Sequence, residues 1–215
     1  MLLLTVALAG LATASSRLPR FAAASNATVK CPIIFDGRVP ASATPTDFDA
    51  ASGWNPFNPD YVKGQNTKWS EIVLLPDVGP SRFDAAGDSR ALEVTISDKS
   101  IFQTQRGFRR AGLQFLKDSN NGSPAAKGAR TLHWSVMQDS KRKLNLTHEY
   151  LMVWHEAADY SSNQFNFEIG TILGQTSLPK NNFKILNRQN KQIWSKAMEE
   201  SGWQNFAITL DFDRK

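Results

Sequence analysis

One cysteine and three histidines are all that the 215 residues offer in thiol and imidazole. A structural zinc site needs Cys and His in clusters, and His133, His148 and His155 have neither a cysteine beside them nor a His-Glu-x-x-His spacing. No metal or other cofactor is expected. The sequence contains no Gly-x-Ser-x-Gly elbow and no phosphate-cradling glycine loop. Cys31 precedes Pro32 near the expected mature start, a poor place for a nucleophile. Beyond the N-terminus no apolar stretch is long enough to span a bilayer. Repeats and low-complexity tracts are absent. Charge is close to balance, at a formal net +5. The densest basic run, Lys141-Arg142-Lys143, adjoins Asp139 in a turn-like segment and reads as a solvated loop. With no basic face and no recognised motif, nucleic acid is not an expected partner.

The length suits one domain with a substantial core. Met1 to Ser16 reads as a targeting segment. Leu2 to Ala9 is an apolar run, followed by the small residues Ala12-Thr13-Ala14, and it is too short to be a membrane span. A second small-residue site, Ala22-Ala23-Ala24, extends the leader, so residues 1–24 are assigned to signal and leader and 25–215 to a single domain. Three sequons, at Asn26, Asn121 and Asn145, agree with export and N-glycosylation. A secreted monomer is expected. In an oxidising compartment the unpaired Cys31 is either buried and inert, or its partner is absent from this chain.

Short strands dominate the remainder of the chain. Cys31 to Gly37 and Glu71 to Leu75 are apolar runs ended by turns. Between them, residues 40 to 68 are rich in Pro, Asn, Asp and Gly and read as loop. Trp54, Phe57, Tyr61 and Trp69 punctuate it, so it is expected to fold against the body and to form a wall of a groove. Trp54 and Trp69 suit core or groove equally. Ala91 to Ser97 alternates, with Leu92, Val94 and Ile96 inward. Gly107 to Phe115 is a further strand; Phe108, Arg110, Gly112 and Gln114 share one face, and Arg109, Ala111, Leu113 and Phe115 the other. Thr131–Met137, Phe165–Ile169, Phe183–Leu186 and Phe206–Phe212 complete the set, and one short helix is expected from Lys191 to Glu200. Many short strands between turns point to an all-β fold. A jelly-roll sandwich with one concave, ligand-facing sheet fits best. The chain stops at Arg214-Lys215 directly after a strand with a strong inward face, which leaves an edge uncovered. The closing C-terminal strands are therefore expected to be missing.

The stretch His148 to Glu156 is rich in aromatic and branched residues and holds no Gly or Pro, as a strand requires. Alternation puts Glu149, Leu151, Val153 and His155 on one face, and His148, Tyr150, Met152, Trp154 and Glu156 on the other. The first face plugs a core through Leu151 and Val153. The second sets an indole beside a carboxylate, a flat plate for a sugar ring and an acid for its oxygens; it equally suits a core Trp with a solvated Glu at the strand end. His133 and His155 read as structural residues.

Acid–base work by carboxylates is the chemistry left open. Glycoside hydrolysis needs two, about 5–5.5 Å apart for retention and about 6.5–9.5 Å for inversion. Glu156 is one candidate. Its partner belongs on the Gly107–Phe115 strand, whose polar face carries Arg110 but no acid. Arg110 could bind sugar or merely pair with a neighbouring carboxylate.

The blocks Cys31-Pro-Ile-Ile-Phe-Asp-Gly-Arg-Val, Tyr61-Val-Lys-Gly, Phe108-Arg-Arg-Ala, Leu132-His-Trp-Ser, His148 to Glu156 and Gly202-Trp-Gln-Asn-Phe together resemble fungal glycoside hydrolase family 131. The resemblance implies a secreted β-jelly roll that cleaves β-1,3-, β-1,6- or β-1,4-glucan by an inverting, two-glutamate mechanism. The family's later glutamate matches Glu156. Its other glutamate follows an Arg-Arg-x triplet, and here Gly112 follows Arg109-Arg110-Ala111. The family also continues beyond Asp211-Phe212, in a part that carries an active-site histidine and offers Cys31 a partner. The expectation is a β-glucanase that is weak or inactive in this copy, with Glu156 and the bare Gly112 as catalytic positions. Arg110, Trp154, His148, Tyr150 and Gln114 are the expected sugar-binding residues. The alternative is a non-catalytic β-glucan-binding protein that uses the same groove.

Overall fold

The structure is a computed structural model that describes residues 32–84, 88–118 and 122–214. The leader, Cys31 and the sequon asparagines Asn26 and Asn121 lie outside these residues. From Ile34 onward the chain forms one unit. Four two-residue strands come first: β1 (Val39–Pro40), β2 (Val73–Leu74), β3 (Ser89–Arg90) and β4 (Glu93–Val94). Six longer strands come after them: β5 (Ala129–Val136), β6 (Glu149–Glu156), β7 (Asn163–Gly170), β8 (Asn182–Asn187), β9 (Gln192–Ala197) and β10 (Gln204–Asp211). All pairings are antiparallel. The only helical elements among the described residues are three short 3-10 turns. The all-β, jelly-roll-like architecture expected from the sequence is the one that forms.

The principal sheet runs β6-β7-β8-β9, and β5 pairs with β10 in a second sheet. Strict alternation on β7 turns Phe165, Phe167 and Ile169 to one face, where they are almost wholly buried. Leu132, Trp134 and Val136 of β5, with Phe206, Ile208 and Leu210 of β10, pack against that face. Phe167 lies at the centre, 4.7 Å from Phe206 and 5.1 Å from Phe183 between ring centroids. Apolar burial of this kind drives the two sheets together at roughly 25 cal/mol per Å².

A second core gathers Val39, Phe48, Phe57, Trp69, Ile72 and Val73 under Ala111, Leu113 and Phe115. Trp69 is therefore a core residue, at 1% exposure. Trp54 packs its edge on Phe48 in the same cluster.

Four local expectations are corrected. Lys191 to Glu200 is not helical; β9 pairs with β8 there. The reason is the preceding Asn187–Asn190 turn. Asn187 Oδ1 accepts from the N–H groups of Gln189 and Lys191, and Asn190 takes φ +59°, so the chain reverses into a hairpin. The Cys31–Gly37 run forms no strand in its described part; the first ladder begins at Val39. Ile96 does not face a core and is 46% exposed. Its strand ends at Val94, after which Thr95 bonds to Ile72 O and a Ser97–Ser100 turn begins. Gly107–Phe115 is extended but joins no regular sheet. It pairs instead with the aromatic loop, through Gly112 and Val62 in both directions and through Asn58 N to Gln114 O.

Candidate active site

The site is built on β6 and on the extended segment that carries Gly112. Simple alternation fails on β6 because Met152 is a surplus residue between Leu151, opposite Glu168, and Val153, opposite Phe167. Such a bulge switches which side chains point which way. Before it, Tyr150 faces the core beside Ile169; after it, Val153 and His155 do so, beside Phe167 and Phe165. Leu151 is left on the outer side, 40% exposed. Trp154 and Glu156 also lie on the outer face. Trp154 pairs with Asn166, and Glu156 with Asn163 after a second register shift. Asn163 Nδ2 donates to Asn166 Oδ1 at 2.6 Å, so the two asparagines form one polar row alongside.

Position 112 meets this face directly. A Cβ placed on Gly112 would lie 2.8 Å from Cη2 of Trp154. The indole tip thus occupies the space in which a side chain at 112 would begin. The alternation expected on Gly107–Phe115 holds here: Ala111, Leu113 and Phe115 contribute to the core, and Gly112 faces Trp154.

Arg110 stands two residues away. Its neighbour Arg109 pairs with Asp98 at 2.9 Å, whereas Arg110 makes no ion pair among the described residues. It donates to the neutral Oε1 of Gln105 at 2.8 Å, and its guanidinium lies 5.6 Å from the ring centroid of Phe102. The π-face and the amide hold the planar group in place while leaving donors for a ligand. Phe102 in turn contacts Tyr61 edge-on, at 6.1 Å. Tyr61 is 47% exposed and adjoins Val62, the backbone partner of Gly112. Gly64 lets this loop close down, because a Cβ there would lie 2.0 Å from Lys99 O. Tyr61, Phe102 and Gln105 were not assigned to the site from sequence. The aromatic punctuation of the loop was the available signal for Tyr61; nothing marked Phe102 or Gln105.

Three of the sequence-derived candidates gather here: Arg110, Gly112 and Trp154, with Glu156 exposed at the end of the same face. The others do not. Tyr150 is turned to the core, and its hydroxyl accepts from Asn145 N at 3.2 Å. His148 precedes the strand, roughly 25 Å from Glu156 by strand rise; its ring lies 6.3 Å from that of Tyr150. Gln114 is exposed beyond Gly112, and its carbonyl serves Asn58. His155 is a core residue 5.5 Å from Phe212, and burial pushes its pKa down, which favours the neutral ring.

A second acid sits on the outer face of β7. Glu168 is 3% exposed, and its Oε2 has no hydrogen-bond partner. Burial, reinforced by the charge of Glu149, pushes its pKa up to about 7, against the pull of an Asn166 hydrogen bond and of Lys184. Lys184, wholly buried, donates instead to Asn182 O at 2.8 Å and Gly170 O at 3.2 Å. Glu168 stands apart from the face that carries Trp154 and Glu156. It pairs with Leu151, five positions from Glu156 and thus roughly 15 Å along the strand. It is also sealed from solvent.

Residues 33–215 match the glycoside hydrolase 131 catalytic N-terminal domain. Among solved structures, the fold is similar to the crystal structure of a GH131 beta-glucanase catalytic domain from Podospora anserina. The TM-score is 0.67 at 19% identity, over 85% of this chain and 71% of that one. No curated protein matches. The structural likeness speaks for the fold, and the family match spans most of the sequence: the chain belongs to glycoside hydrolase family 131.

Proposed function

We propose that this protein is a secreted β-glucan-directed member of the family that binds sugar in the groove beside Trp154 and hydrolyses it weakly or not at all. The contact between Trp154 and Gly112 carries the proposal. Inverting hydrolysis needs an acid for the leaving oxygen and a base for water on the opposite side. Glu156 supplies one carboxylate. Gly112 supplies none, and the indole fills the space before it. Loss of one general acid–base group costs about 10²–10⁴-fold.

The same contact favours the non-catalytic reading as the limiting case. Trp154 packed on bare backbone is a flat, fixed plate for the C–H face of a sugar, and Tyr61 and Arg110 add an aromatic edge and charged donors. Export rests on the leader and the sequons. Asn145, the sequon asparagine among the described residues, is exposed, and a mass measurement of the secreted protein tests whether it carries a glycan.

Reducing-sugar release from laminarin and cellulosic oligomers, with pull-down on insoluble glucan, tests the proposal. Wild type is expected to bind with little or no release. Gly112→Glu alone is expected to gain nothing, because the indole bars the new side chain. Gly112→Glu with Trp154→Ala is expected to gain turnover that Glu156→Gln removes. Rapid turnover by wild type would overturn the proposal, as would failure to retain glucan.

A further inference from the structure

We infer a second sugar-binding site between the edge strands β9 and β10, away from Trp154 and Gly112. A cavity of about 280 Å³ lies there. Trp194 and Trp203 supply two indoles, and Arg82, Lys196, Glu199 and Asn205 supply polar groups. This volume is at the small end for ligand sites and suits one ring rather than a long chain.

The two indoles are held, not loose. Trp203 Nε1 donates to Gly79 O at 2.7 Å, which ties the β9–β10 connection to the loop that carries Arg82. Trp194 stands edge-on to Phe206, with centroids 5.8 Å apart, yet remains 38% exposed. Buried Gln204 fixes the connection between them. Its Oε1 accepts from Glu199 N at 2.8 Å, and its Nε2 donates to Ala197 O at 3.0 Å. The rim results from that anchoring. Lys196 pairs with Glu199 at 3.2 Å, and Asn205 Oδ1 accepts from Ser135 Oγ.

The chemistry indicates a neutral hexose. Indoles offer flat apolar area to the C–H face of a pyranose, while the ammonium, carboxylate and amide groups around them suit its hydroxyls. Lys196 and Glu199 neutralise each other, so the cavity is not a strong anion trap. Arg82 is the cation with no ion-pair partner among the described residues. The site is separate from the groove. Trp194 lies on the register line of Ile185, Phe167 and Val153, on the core-facing side, whereas Trp154 points to the other side. Three strand spacings, roughly 14 Å, also lie between β6 and β9. The identity of the sugar as a β-glucan unit rests on the proposed function; the hexose chemistry rests on the cavity.

Titration calorimetry and tryptophan fluorescence with laminaritetraose test the inference. Wild type is expected to bind two equivalents and Trp154→Ala one. Adding Trp203→Ala to Trp154→Ala is expected to abolish the remaining event. Adding Arg82→Ala, at an exposed residue, is expected to weaken it at least tenfold. If Trp154→Ala removes all binding, the second site is overturned and the groove reading stands. If Trp203→Ala or Arg82→Ala removes the only binding and Trp154→Ala does nothing, the groove reading falls and the second site stands. A wild type that binds no sugar overturns both.

Discussion

Trp154 and Gly112 are fitted to each other across the gap between β6 and the extended segment, with the indole tip 2.8 Å from the place a Cβ would take at 112. Real Cβ atoms do not tolerate such a contact, so any side chain at 112 displaces the indole or the backbone. Gly112→Ala is expected to destabilise the fold by about 1–3 kcal/mol through overpacking. In a Trp154→Ala background the same change should cost much less. A double-mutant cycle by urea denaturation measures the coupling; independent, additive effects would contradict the packing described.

Glu156 is exposed at the end of its strand and makes no ion pair among the described residues. Glu156→Gln is therefore expected to leave the midpoint of thermal unfolding nearly unchanged. In the Gly112→Glu, Trp154→Ala background it should lower kcat by about 10²–10⁴-fold. An unchanged rate would remove Glu156 from the chemistry.

Buried Glu168 makes stability depend on pH. Its folded pKa of about 7 lies above the ordinary 4.5, so the folded state holds a proton that the unfolded chain releases between those values. The folded state therefore has its full advantage from this group below about pH 4.5 and loses it as pH rises through 7. The loss is on the order of 3 kcal/mol at 1.36 kcal/mol per pKa unit. Glu168→Gln should flatten the fall between pH 5 and 8, and at pH 8 should match or exceed wild type. Thermal unfolding across that range is the measurement; a wild-type curve that rises with pH over the window would refute the assignment.

Phe167 is fully buried between Phe183, Phe206 and Trp134. Phe167→Ala should cost about 3–5 kcal/mol. Tyr61→Ala, at a half-exposed ring, should cost little stability but weaken glucan retention. Denaturation and pull-down, run side by side on both variants, separate the core from the groove.

Where hydrophobic patterning was regular, the sequence was legible. Phe165, Phe167 and Ile169 alternate without interruption, and β7 forms as their spacing requires. The Ile193-Trp194 segment, by contrast, owes its strand to the Asn187–Asn190 turn before it, and not to its own pattern. Gly112 could be placed opposite the site from its neighbours on the strand. That Trp154 fills the space in front of it depends on a contact between segments more than 40 residues apart, which no local pattern records. Tyr150 leaves the sugar-facing side because a single surplus residue at Met152 inverts the parity of the strand on one side of it, whereas His148 lies before the strand begins.

That surplus residue divides β6 into two halves with separate duties. A change at Tyr150 can alter the interior without moving the indole and carboxylate farther on. Deleting Met152 would restore a plain two-residue rhythm, and either the core-facing Tyr150 or the outward Trp154 and Glu156 would have to swap sides. The strand thus serves the core and its own outer face together only because it is one residue too long.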